Sequence, residues 1–85
     1  MKPGDKVTYV PAHLANDPAR WEHGIVKREK PDGTGYFVVY NCAGEWKEYW
    51  RYTAAGTNTR DLKPGWLDKK AYSLLMPKGE EYNDN

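Results

Sequence analysis
The sequence predicts one small, soluble, mostly β domain held together by aromatic residues. Three observations lead there. The chain has 85 residues, enough for a single core. Leu, Ile, Val and Phe supply only twelve of them, a share that would signal disorder if the net charge were high. The net charge is +1, from 13 Lys+Arg against 12 Asp+Glu, and 4 Trp and 7 Tyr carry the missing apolar mass. Aromatic side chains bury large areas each, so a few can hold a small core. Finally, short runs of strand formers alternate with clusters of Gly, Pro, Asn and Asp, the punctuation of a β fold.

The first strand is Lys6-Val7-Thr8-Tyr9-Val10, stopped by Pro11. Val7 and Tyr9 point to one side of it, Thr8 and Val10 to the other. Pro11 to Glu22 contains two prolines and an Asn16-Asp17 pair and reads as a long loop of the kind found at binding surfaces. Gly24 to Glu29 is the second strand. Lys30-Pro31-Asp32-Gly33-Thr34-Gly35 has turn chemistry, with Pro presetting φ and Asp-Gly accepting positive dihedrals. Tyr36-Phe37-Val38-Val39-Tyr40 is apolar on both faces and is the expected central strand. Asn41 to Gly44 turns the chain again.

Glu45 to Tyr52 fits two patterns. Trp46, Tyr49 and Trp50 are spaced as on a helix face; Trp46, Glu48, Trp50 and Tyr52 are spaced as on a strand face. Periodicity leaves both open, and a strand continuing into Tyr52-Thr53-Ala54 is preferred. Asn58 and Asp61 have the spacing of a capping box, which predicts a single 3₁₀ turn over 59–62, broken by Lys63-Pro64-Gly65. Leu67, Ala71, Leu74 and Leu75 recur at helical spacing. They predict an amphipathic helix over 66–76, closed by Pro77 and Gly79. Residues 77–85 are polar and expected to form a flexible tail.

Several function classes are disfavoured. No run of about 18 apolar residues occurs, so no membrane span or membrane partner is expected. The Met1-Lys2-Pro3-Gly4-Asp5 start has neither an apolar stretch nor a cleavage site, so a secretory signal is not expected. Cys42 is the only cysteine, which forbids an internal disulfide and a thiolate metal cluster. A cytoplasmic location follows as the expectation. His13 and His23 lack metal-ligand spacing, so no metal or other cofactor is expected. Cys42 with His23 as base is a nominal nucleophile pair, but no helix N-terminus or basic neighbour lowers the thiol pKa. Gly33-Thr34-Gly35 lacks the helix that a phosphate loop needs. No enzyme is expected.

Gly4-Asp5-Lys6-Val7, Gly24-Ile25-Val26 after a long loop, and the turn from Asn58 to Leu62 resemble the corresponding parts of SH3-like small barrels, the Tudor and KOW domains among them. The resemblance covers roughly the first two thirds of the chain. It implies a barrel of about five strands over 1–65, with a 3₁₀ turn before the last strand; the helix expected over 66–76 from its spacing would pack on it, because the small core needs the area. A second resemblance is to small uncharacterised proteins of bacteria and their phages. They share a Lys-Pro-Gly-Asp-Lys-Val-Thr-Tyr-like start, a Gly-Ile-Val-like strand, a Phe-Val-x-Tyr-Asn-like strand and an ending like Thr53-Ala54 through Asp61-Leu62. This implies a bacterial or phage origin and carries no activity over. The stretch Glu45 to Arg51 departs from that pattern. The fold plan also resembles the plasmid-encoded type II dihydrofolate reductases. Their final-strand Val-Gln-Ile-Tyr segment is absent here, so that activity is not carried over.

Two surfaces stand out as candidates. Trp21, Trp46, Tyr49, Trp50 and Tyr52 exceed what so small a core absorbs, and exposed aromatics anchor protein and peptide partners. They also box cations or stack bases. The first expectation is therefore a non-enzymatic module recognising a protein or peptide through the Pro11–Glu22 loop and the 46–52 segment. The alternative is a nucleic-acid-binding barrel using Arg20, Lys27, Arg28, Lys30, Lys47 and Arg51. Glu29, Asp32, Glu45 and Glu48 lie among these cations, and alternation separates Lys27 from Arg28. An oligomeric enzyme or a small-nucleotide-binding phage protein carries less weight. A monomer is favoured over a homodimer formed through the C-terminal helix, because the small core needs the area that the helix would cover.

Overall fold
A computed structural model describes residues 1–68. Five antiparallel strands form one sheet: β1 (Lys6–Tyr9), β2 (Glu22–Glu29), β3 (Gly35–Val39), β4 (Ala55–Asn58) and β5 (Leu62–Pro64). Their order across the sheet is β4-β3-β2-β1-β5. Short 3₁₀ segments at Ala12–Leu14, Pro18–Arg20, Trp46–Arg51 and Thr59–Asp61 make the connections.

The strands follow from their side chains. Cross-strand partners share a face in an antiparallel pair, and the register sets Val26 opposite Val38 and Val7 opposite Gly24. Val7, Val26, Val38 and Leu62 form a buried cluster, with Tyr36 and Tyr40 packed against it. Gly24 is required beneath Val38 and Tyr40: a Cβ there would stand 2.5 Å from Val38 Cγ1. Gly35 is tighter still, since a Cβ would meet the Thr57 carbonyl oxygen at 2.0 Å. Both glycines let neighbouring groups approach more closely than a side chain permits.

The opposite face buries Thr8, Ile25 and Val39. Irregular chain covers it. Val10, Leu14 and Trp21 make a second buried cluster, with Leu67 packed on it. Trp21 Nε1–H donates to the Leu14 carbonyl at 2.8 Å, which ties the loop into a plug. The buried Thr8 hydroxyl donates to the Gly65 carbonyl at 2.8 Å and accepts from the Leu67 amide at 2.9 Å. Its hydrogen-bonding capacity is used, as burial demands.

Several expectations need correction. The loop ends at Trp21, not Glu22, because Glu22 and His23 extend β2 against Tyr9 and Thr8. Residues 46–51 are not a strand. They form 3₁₀ turns broken at Glu48 (φ −118°, ψ 31°). Ala43 and Gly44, both at positive φ, reverse the chain before it, and β3 already carries β2 and β4 on its two edges. The fourth strand starts only at Ala55. The 3₁₀ turn at Thr59–Asp61 forms, but the Asn58 side chain makes no capping bond. The Thr59 amide donates to the Thr34 carbonyl instead (3.2 Å), and the Val10 amide to the Asp61 carbonyl (2.7 Å). Lys63 and Pro64 belong to β5 rather than to a break. Pro is tolerated there because β5 is an edge strand; Gly65, at φ +80°, ends it. Trp66, Leu67 and Asp68 are irregular. The rest of the expected helix, and the expected tail 77–85, lie outside the described residues.

Candidate binding groove
The 46–51 segment presents Trp50, 56% exposed, edge-on to Tyr49 at 5.8 Å. Trp46 is half-buried because it meets Trp66 edge-on at 5.0 Å. Trp66 lies flat against His23 with ring centroids 5.3 Å apart. The Lys6 ammonium sits 4.6 Å from the Trp66 ring, and Trp66 Nε1–H donates to the Gly24 carbonyl at 2.8 Å. Tyr52 is half-buried, and its hydroxyl donates to the Glu45 carboxylate. That acceptor stabilises the neutral phenol and raises its pKa. Trp21 is 3% exposed and stands in the core, so it is not part of an aromatic surface. Of the five aromatic candidates only Trp50 is exposed; Trp46, Tyr49 and Tyr52 are half-buried.

The six cationic candidates do not form one patch. Arg20 sits in the turn before β2, at the far end of that strand from Lys27, Arg28 and Lys30. The β2–β3 register slips between Val26 and Arg28, which sets Arg28 opposite Phe37. Strict alternation therefore fails at Lys27, as at a β-bulge. The Arg28 guanidinium lies 4.3 Å from the Phe37 ring. Lys27 Nζ donates to the Tyr52 carbonyl at 2.7 Å and pins the 46–51 segment to β2. Arg51 is paired with Glu48 at 2.5 Å, while Lys47 is exposed and Lys30 half-buried.

A different site emerges at the end of β1. Tyr9 and Tyr40 meet edge-to-face at 5.9 Å and 62°, and the Tyr40 hydroxyl is hydrogen-bonded to Thr57 Oγ1 at 2.9 Å. They line a cleft of about 400 Å³ together with Glu22, the 55–58 strand and Asp61. A second cleft of about 650 Å³ runs from Tyr9 along Pro11, Ala12 and His13 to Arg60, Asp61 and Lys63. Tyr9 and Asp61 line both, so the two clefts adjoin at these residues and are together called the groove. Burial pushes the Tyr40 hydroxyl up to about 12, and Glu22, Tyr9 and Asp61 add to the rise. The groove combines aromatic rings with a few polar groups, the usual make-up of a binding cleft.

Cys42 is 1% exposed, closed to a substrate. Among the described residues no three His, Cys, Asp or Glu side chains converge as a metal site, and no helix is long and apolar enough to cross a membrane. No family model, curated protein or solved structure matches the chain.

Sequence reasoning missed Tyr9, Tyr40, Glu22 and Asp61. Part of the signal was present: Tyr9 shares parity with Val7, and Tyr40 with Val38. What brings them together is the strand order and the 3₁₀ turn that returns β5 to β1, neither of which any local pattern encodes.

Proposed function
We propose that this chain is a non-enzymatic binding module on an SH3-like barrel plan, and that it recognises a protein or peptide segment in the Tyr9–Tyr40 groove. The order β5-β1-β2-β3-β4, with a long loop after β1 and one 3₁₀ turn between β4 and β5, supports the plan. The observation that carries the function is the pair of adjoining clefts that share Tyr9 and Asp61, one lined by the first long loop and the other by Tyr40 and the 55–58 strand. An extended peptide can lie in such a groove and seat its side chains against the rings. The exposed Trp50 of the 46–51 segment offers a separate hold.

The test is selection of peptides from an arrayed library, followed by amide-shift mapping on the labelled protein. Shifts confined to Tyr9, Ala12, Tyr40, Thr57 and Asp61, with affinity at least tenfold lower in a folded Tyr9→Ala variant, are expected. Peptides that map elsewhere, or that Tyr9→Ala leaves unaffected, overturn the reading.

A second reading is nucleic-acid binding on the basic and aromatic face. The bulge favours it, since it stacks Arg28 on Phe37 beside Lys27, and cation-aromatic surfaces hold single strands. A steep loss of oligonucleotide binding with salt would select it.

A further inference from the structure
We infer that the Tyr9–Tyr40 corner of the groove takes a cationic side chain, that of arginine or lysine, from the bound peptide. The inference rests on the groove reading above and names the chemistry of its occupant. The rings meet edge-to-face at 62° and both line the cleft. Ring faces carry negative quadrupole potential and attract a cation. Glu22 lies directly across the β1–β2 pair from Tyr9 and lines the same cleft, as does Asp61. Two carboxylates therefore flank the two rings.

Among the described residues neither carboxylate has a close ion pair. Among the described residues no cation pairs with Glu22. Asp61 has only Arg60, at 4.0 Å, whose own side chain is 83% exposed. That is a loose surface pair worth little, and an incoming cation can displace it. Charge-assisted hydrogen bonds from a guanidinium to carboxylates are among the stronger ones available. His13, Arg60 and Lys63 line the adjoining cleft, but in this corner a phosphate would meet two carboxylates, which favours a cationic side chain. Burial is the main reason that the Tyr40 hydroxyl stays protonated, and the two carboxylates add to it.

The probe is N-acetylarginine methylamide, compared with its neutral isostere N-acetylcitrulline methylamide at constant ionic strength, read by amide shifts. The arginine compound is expected to move the Tyr9, Tyr40, Thr57 and Asp61 amides with at least fivefold higher affinity than the citrulline one. Glu22→Gln and Asp61→Asn are each expected to lower that affinity several-fold, and both together to remove the preference. Glu22 is exposed, so Glu22→Gln keeps the fold even where Asp61→Asn disturbs the 3₁₀ turn. Equal shifts from both compounds would overturn the cation inference and leave the groove reading standing. Arginine shifts outside the groove, or none, would overturn the inference. Library peptides that miss the groove altogether would overturn the groove reading as well.

Discussion

The two faces of the sheet are built from different materials. One is closed by small β-branched residues on regular strands: Val7, Val26 and Val38 are each fully buried, with Leu62 beside them. The other is closed by large side chains on irregular chain. Trp21 and Leu14 come from the first loop, and Trp46 and Trp66 from segments without strand pairing. The first face gains its order from backbone pairing, which positions every side chain with period two. The second must fix each aromatic separately, by an indole donor to a carbonyl, as Trp21 does with Leu14 and Trp66 with Gly24. A chain with few aliphatic residues can thus cover both faces of one sheet.

The largest expected effect breaks the regular face at its tightest point. Gly35→Ala drives a Cβ into the Thr57 backbone, 2.0 Å from its oxygen. Backbone cannot rotate away as a side chain can, so β3 and β4 must separate. A loss of about 3 kcal/mol or more is expected, at the upper end for overpacking, with unfolded material by circular dichroism. Wild-type stability for this variant would mean that the β3–β4 pairing differs from the one described.

Next comes the aliphatic cluster. Val38→Ala removes two methyl groups from a site with no exposure. A cost of about 2 kcal/mol is expected from lost burial and the cavity left behind, measured by urea unfolding. The matching change on the other face is Trp21→Phe. It keeps most of the ring but removes the indole bond to the Leu14 carbonyl, which still accepts from the Asp17 amide at 2.9 Å. About 1–2 kcal/mol is expected, from one lost hydrogen bond and the smaller buried ring. If Trp21→Phe costs more than Val38→Ala, the irregular face is the stronger of the two.

This contrast also explains what was legible in the sequence. β1, the 30–35 turn and β3 could be read because alternation and turn chemistry act over a few residues. The stretch 46–51 could not, because two periodicities coexist in Trp46, Tyr49, Trp50 and Tyr52. The choice was made by distant groups, the Lys27 ammonium on the Tyr52 carbonyl and Trp66 against Trp46. Trp21 was misread for a related reason: a loop tryptophan looks exposed until Val10, Leu14 and Leu67 are brought around it. The bulge that places Arg28 over Phe37 is likewise a product of pairing. The groove needed the whole strand order.

A smaller effect separates the groove from the core beneath it. Tyr40→Phe removes the hydrogen bond to Thr57 and costs about 1 kcal/mol at neutral pH. Its pH dependence is more telling. Below pH 10 this tyrosine is neutral in both the folded and the unfolded chain. Above pH 10 the unfolded chain ionises first, because the folded hydroxyl is held up at about 12. Stability therefore falls between pH 10 and 12 by linkage, and Tyr40→Phe should fall less steeply there. Equal slopes in the two proteins would mean that Tyr40 is more open to water than the cleft geometry implies.

The smallest effect is expected at Trp50, on the outside of the aromatic face. With 56% of its surface in water and only an edge contact to Tyr49, it adds little to packing. Trp50→Ala should change stability by no more than about 0.5 kcal/mol, as exposed substitutions do. A loss above about 1 kcal/mol would mean that further chain covers this ring, and Trp50 would cease to be a second hold for a partner. A neutral result keeps that surface free. The same variant can then divide the two binding readings, because peptide affinity in the Tyr9–Tyr40 groove should be untouched by it. On the nucleic-acid reading, with Trp50 as a stacking platform, oligonucleotide affinity should drop by the worth of one stacked base, about 1–3 kcal/mol.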